Sequence, residues 1–151
     1  MASQRKGAVA AGHPLTAEAA AEVLAEGGNA FDAAIAALWM ACVCEPVLAS
    51  PGGGGFFTGT ANGRTRVFDF FAAAPARKIP VDSLEFAEVT VDFGTATQVF
   101  HVGAGASATP GFVPGIFAVH DLVGKLPMHR LTEPAVIAAR EGVRVTALQA
   151  Y

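Results

Sequence analysis

Histidine, cysteine, glycine-flanked serine and clustered acids are the residues through which this 151-residue chain could do chemistry. His13, His101, His120 and His129 fall in separate segments, without an H-E-x-x-H or Cys–His arrangement. That spacing supplies no zinc ligand set. Cys42 and Cys44 are the only cysteines. Two apart on a helix, they point to nearly opposite faces and cannot bridge each other there, so they read as small buried residues. Gly103-Ala-Gly105-Ala-Ser-Ala108 fits a dinucleotide-binding turn, but Pro110, Gly111 and Pro114 interrupt the helix needed to hold a pyrophosphate. Gly105-Ala-Ser107-Ala-Thr109 approaches a nucleophile elbow and lacks its final glycine. The Gly52 to Gly55 loop could cradle an anion with its amides, yet no Lys-Ser/Thr follows and Phe56-Phe57 does. Close backbone packing is the better reading. Glu18, Glu22 and Glu26 recur every four residues, the pattern of a solvated helix face. Nothing here assembles a nucleophile, a base and an oxyanion site, and no cofactor or metal is implied.

Composition narrows the class. A net charge of −3 gives no basic field, so nucleic acid is not an expected partner. The chain is 52% hydrophobic and only 15% charged, against about 25% charged in typical soluble domains. A free domain of this mass would expose roughly 7,000 Å², a large area for so few charges to coat. Part of that area is therefore expected to be covered by other polypeptide. The longest apolar run, residues 33–44, is well short of the ~20 residues that span a bilayer, so no membrane segment is expected. Residues 7–12 are too short and small for a signal-peptide core, which makes a cytoplasmic location the expectation.

The elements follow from local signals. Residues 16–26 read as a helix capped by Thr16 and ended by Gly27 in left-handed geometry. Asn29 with Asp32 three residues on resembles a capping box for a second helix, apolar all round over 33–44 and closed by Glu45-Pro46. Asn62-Gly63 between extended runs predicts a hairpin. In its second strand Thr65, Val67, Asp69 and Phe71 share one face, and Arg64, Arg66, Phe68 and Phe70 the other. Further on, a strand is expected at 98–102, and helices over 114–123 and 132–141, the latter with Pro134 in its first turn and Gly142 beyond its end. Another helix signal begins at Thr146.

Taken in order, several of these segments resemble the N-terminal part of the gamma-glutamyltranspeptidase family. They are Gly12-His-Pro-Leu, Glu26-Gly-Gly-Asn-Ala-Phe-Asp-Ala-Ala-Ile-Ala37, Glu45-Pro46, Gly52-Gly-Gly-Gly-Phe-Phe57, Phe68-Asp-Phe70 with Ala74-Pro75, Ser107-Ala-Thr-Pro-Gly111, Leu126-Pro127, Glu133-Pro-Ala135 and Ala139-Arg-Glu-Gly142. The resemblance implies an α/β (α+β) fold, the αββα sandwich of N-terminal-nucleophile hydrolases, of which this chain holds part. Residues 1–151 would form one incomplete N-terminal segment with no internal boundary.

The resemblance also implies a precursor that cuts itself into two subunits, the small one beginning with threonine. The freed α-amine of that threonine takes the proton from its own Oγ, which attacks the γ-amide of glutathione or a related compound. The acyl-enzyme then passes to water or an acceptor amine. No Thr-Thr pair of that kind occurs in the chain, so no catalytic residue is assigned and the chain by itself is expected to be inactive. Its implied partners are the remainder of the same polypeptide or the small subunit, with a γ-glutamyl small molecule as substrate. One family site residue falls within reach. Where the family has Asp-Phe-Arg-Glu, its arginine pairing with the substrate α-carboxylate, this sequence has Asp69-Phe70-Phe71-Ala72. Phe71 thus occupies the substrate-binding position without a charge, leaving Arg77 or Lys78 as possible substitutes, or Phe71 as simple core packing. A noncatalytic interaction remnant of the family is the alternative, with a dinucleotide-binding module behind it. The enzyme reading predicts a reading frame that continues past Tyr151 to a threonine-headed segment.

Overall fold

A computed structural model describes residues 7–150. In chain order these form helices α1 (Pro14–Ala25) and α2 (Ala30–Cys44), then strands β1 (Phe56–Ala61) and β2 (Arg64–Asp69). Strands β3 (Ala87–Asp92) and β4 (Thr97–Val102) follow, and the chain finishes with helices α3 (Phe112–Val123), α4 (Met128–Glu141) and α5 (Ala147–Ala150).

Helix α1 starts earlier than its sequence suggests. Pro14, with its preset φ, takes the first helical position, and His13 is the cap, its Nδ1 accepting from the Leu15 amide at 3.2 Å. Thr16 is therefore not the cap. It lies buried inside the first turn and donates its hydroxyl to Glu45 Oε2 at 3.2 Å, joining the start of α1 to the end of α2. Glu18, Glu22 and Glu26 face solvent as expected, and Gly27 ends the helix at φ +91°.

The Gly-Gly-Asn-Ala-x-Asp sequence is a structural clamp. Asn29 accepts from the amides of Phe31 and Asp32 at 2.8 and 2.9 Å, and Asp32 accepts from the Asn29 amide at 2.9 Å, completing the capping box. Asp32 has no exposed surface and also accepts from the Lys125 and Leu126 amides at 2.9 and 3.3 Å. Asn29 Nδ2 donates to the Val123 carbonyl at 2.7 Å. Two side chains thus hold the turn between α3 and α4 against the start of α2.

The core lies between these helices and one face of the β1–β2 hairpin. Ile35, Ile116, Val119 and Leu131 have 0% exposure, and the rings of Phe31, Phe57, Phe70 and Phe112 close around them. Residues 31–44 of α2 are all buried or half-buried, in keeping with a helix that is apolar all round. Trp39 packs edge-on against Phe112, with its indole Nε1 buried and unbonded among the described residues. Burial raises the thiol pKa values of Cys42 and Cys44, and the nearby Glu45 charge raises Cys44 further. Arg130 pairs with Glu26 and Glu133, tying α4 to the end of α1. Helix α4 begins four residues before the expected Thr132, so Pro134 sits inside it instead of in its first turn. Pro127, extended at φ −66° and ψ 143°, sets this earlier start.

Strands β1 and β2 pair antiparallel through the Asn62-Gly63 turn, at φ +52° and +71°. Phe57 and Phe68 face inward, where Phe57 stacks on Phe31 at 5.8 Å. Strand β3 has no counterpart in the sequence reading; it pairs with β4 in a second hairpin whose β4 residues are all exposed. The chain presents 10501 Å² to solvent, about one and a half times the value expected for a free domain of its mass.

Candidate functional site

Phe71 stands where three segments meet: the glycine loop at 52–55, the continuation of β2 at 70–73, and the approach to α3 at 107–112. Gly55 and Phe70 exchange two backbone hydrogen bonds of 3.2 and 3.0 Å, extending the hairpin ladder by one pair. Ala73 and Thr109 exchange another two, of 3.0 and 2.8 Å. The Gly53 carbonyl accepts from the amides of Gly111 and Phe112, both at 3.1 Å. A Cβ on Gly54 would stand 2.7 Å from the Phe71 carbonyl carbon, and one on Gly115 would overlap the Phe70 ring. The tetraglycine is thus a close backbone crossing.

This crossing separates two adjacent phenylalanines. Phe70 is only 8% exposed and packs edge-on to Phe112 at 6.3 Å, anchoring the strand in the core. Phe71 points the other way and is 61% exposed, so the described residues do not bury it. Its amide donates to Asp69 Oδ1 at 3.1 Å, which fixes its main chain. Its ring stacks on Phe56, centroids 5.5 Å apart and planes 15° from parallel. Phe56 is itself 64% exposed. The register pairs Phe56 with Asp69, so Phe71 is the diagonal neighbour of Phe56 on the outer face. Sequence reasoning missed Phe56; its place directly after the glycines, with the turn fixing the register, was the available signal. Beside Phe56 lies an open cavity of about 340 Å³, lined by Leu38, Val47, Leu48, Phe56, Phe70 and Phe112 together with the glycine loop, with no ionisable side chain among the described residues that line it.

The other candidates are not brought to this place. Arg77 and Lys78 are exposed, line no described cavity and make no hydrogen bond or ion pair among the described residues. Gly103 and Gly105 pack on the Glu85 carbonyl, which accepts from the Gly105 amide at 2.8 Å. Only a short 3-10 turn, Ala104–Ala106, follows Gly103, so the helix a dinucleotide site requires is absent there. Ser107 is exposed in extended geometry, with no bonded histidine among the described residues. His120 Nε2 lies 2.8 Å from the Leu126 carbonyl and His13 caps α1. The described residues contain no group of three His, Cys, Asp or Glu able to hold a metal ion, and no described helix is long and apolar enough to cross a membrane.

Residues 16–151 match the sequence model of the gamma-glutamyltranspeptidase family. The chain belongs to that family. Glutathione hydrolase proenzyme of Pseudomonas aeruginosa is 36% identical over 140 residues, covering 92% of this chain and 24% of that protein. Acylase ACY 1 proenzyme of Pseudomonas sp. (strain V22) is 36% identical over 148 residues, covering 96% of this chain and 26% of that protein. The gamma-glutamyltranspeptidase of Pseudomonas nitroreducens, solved in complex with L-DON, superposes with a TM-score of 0.80 at 33% identity, over 98% of this chain and 43% of the solved one. This family member therefore carries part of the N-terminal-nucleophile hydrolase fold. It spans about a quarter of the length of the curated relatives it matches. The large accessible surface and the uncovered β3–β4 hairpin fit a partial sandwich.

Proposed function

We propose that this chain is the N-terminal part of the large subunit of a gamma-glutamyltranspeptidase-like enzyme, one that hydrolyses or transfers the γ-glutamyl group of glutathione or the acyl group of a related amide. The observation that carries the reading is family membership over residues 16–151 together with the folded glycine crossing that positions Phe71. In this reading the nucleophile is an N-terminal threonine supplied by polypeptide outside these residues. Its α-amine accepts the Oγ proton, and Oγ bonds to the amide carbonyl carbon. The amide C–N bond then breaks, the amine leaves with that proton, and water or an acceptor amine releases the acyl group. The chain contributes a wall of the acyl site and one side of the shared sandwich.

The test uses the full-length polypeptide that contains these residues. Incubated briefly with an amide substrate and quenched in acid, it should show by peptide mass spectrometry an acyl adduct on a terminal threonine. Substrate turnover with the adduct on some other residue, or no turnover of any amide, would refute the proposal. The second outcome would favour a noncatalytic role, which the exposed apolar residues of β1–β2 and β3–β4 would suit.

A further inference from the structure

We infer that Asn62-Gly63, the tip of the β1–β2 hairpin, is a site of spontaneous covalent modification, where the Asn62 side chain deamidates through a cyclic imide and isoaspartate takes its place. This chemistry is independent of the amide-cleaving function.

Ring closure needs a side-chain amide and the following main-chain nitrogen, both free and unhindered. Asn62 and Gly63 are exposed, and neither the Asn62 side chain nor the Gly63 amide has a hydrogen-bond partner among the described residues. Lacking a Cβ, Gly63 leaves its nitrogen open to approach, and even an added Cβ would meet nothing within 4 Å. The backbone must also turn, and the tip is weakly held. Asn62 stands at φ +52°, a region uncommon outside glycine. Beyond the strand ladder, the tie nearest the tip is the exposed Thr60–Thr65 hydroxyl bond of 2.8 Å, so the tip is placed to open locally.

Asn29, the one other asparagine in the sequence, supplies the contrast. Its Oδ1 accepts from two amides, its Nδ2 donates to the Val123 carbonyl, and Ala30 follows it at the start of a helix.

Once hydroxide takes its proton, the Gly63 nitrogen bonds to Asn62 Cγ. The Cγ–Nδ2 bond breaks, and Nδ2 leaves as ammonia with a proton from water. Water then opens the imide at Cγ, giving aspartate, or at the main-chain carbonyl carbon of residue 62, giving isoaspartate with Cβ in the main chain. A two-residue turn sets the hairpin register, so an extra main-chain atom there breaks the Ala61–Arg64 pair first and loosens the ladder toward Phe57 and Phe68.

The full-length polypeptide, stored in mildly alkaline buffer and sampled over weeks, tests this by peptide mass spectrometry. The peptide holding Asn62 should gain the mass that separates a carboxyl from an amide, at least about tenfold faster than the peptide holding Asn29, whose three hydrogen bonds must break first. The product should include isoaspartate, detected as a substrate of protein isoaspartate methyltransferase. Amides of β1 and β2 should then exchange hydrogen faster than before storage. Asn62→Gly suits both positive-φ turn positions and should show neither change. Asn62 left intact, or converted no faster than Asn29, would overturn the inference. So would aspartate without isoaspartate, the mark of direct hydrolysis, or equal exchange before and after conversion.

Discussion

Asp32 offers the most direct mechanical test of the fold, because one carboxylate without exposed surface holds three backbone amides from two distant parts of the chain. In Asp32→Ala, the amides of Asn29, Lys125 and Leu126 lose their acceptor. At the low end of the cost of an unsatisfied donor, about 1 kcal/mol each, this sums to about 3 kcal/mol. Removing the negative charge from the first turn of α2 adds about 0.5 kcal/mol. The total is a large share of the ~5–15 kcal/mol that holds a domain together. Asp32→Asn keeps one acceptor oxygen and turns an amide NH2 toward a donor, so it should fall between alanine and the native residue. Urea titration followed by far-UV circular dichroism measures these differences, with exposed Glu18→Ala expected to stay within about 0.5 kcal/mol of the native chain. A loss below about 1 kcal/mol for Asp32→Ala, at unchanged slope, would refute the clamp.

Other expectations follow from single contacts. Gly54→Ala forces a Cβ onto the backbone of Phe71 and Ala72 and should cost about 1–3 kcal/mol by the same titration; unchanged stability would contradict the close crossing. Trp39→Phe removes a buried indole N–H that has no partner among the described residues while keeping a ring against Phe112, so it should stay within about 1 kcal/mol of native stability, whereas Trp39→Ala should lose about 3 kcal/mol. A large loss for the phenylalanine variant would show that the indole nitrogen is bonded. The raised thiols of Cys42 and Cys44 mean that the folded chain keeps these protons to higher pH than the unfolded chain. Their contribution is intact below the ordinary thiol pKa, about 8.5, and is lost as pH rises through the raised values. Urea midpoints should therefore fall between pH 8 and 10, and fall less in a Cys42→Ala/Cys44→Ala variant; equal falls would place the alkaline instability elsewhere.

What was legible in the sequence was local. Asn29 and Asp32 announce the start of α2 because a capping box closes within one turn, and Asn62-Gly63 announces the hairpin because both residues tolerate positive φ. The wider roles of the same residues were not legible. The Asp32 bonds to Lys125 and Leu126 cross more than 90 residues, and the Thr16 bond to Glu45 crosses 29. Strand β3 alternates Ala87, Val89 and Val91 with Glu88, Thr90 and Asp92, a period that was present, but its hairpin packs little of either face into a core. Phe71 was legible as a position through family resemblance, while its stack on Phe56 emerged from the strand register. The scarcity of charge pointed to a covered surface, and the excess accessible area agrees with it.

The central claim of the proposed function is that these residues belong to a precursor that matures by cutting itself. Intact-mass analysis of the purified full-length polypeptide, incubated without added protease, tests it most directly. The account predicts two fragments whose masses sum to the precursor, the smaller beginning with threonine. A polypeptide that contains that threonine and stays whole, or one cut ahead of any other residue, would contradict it.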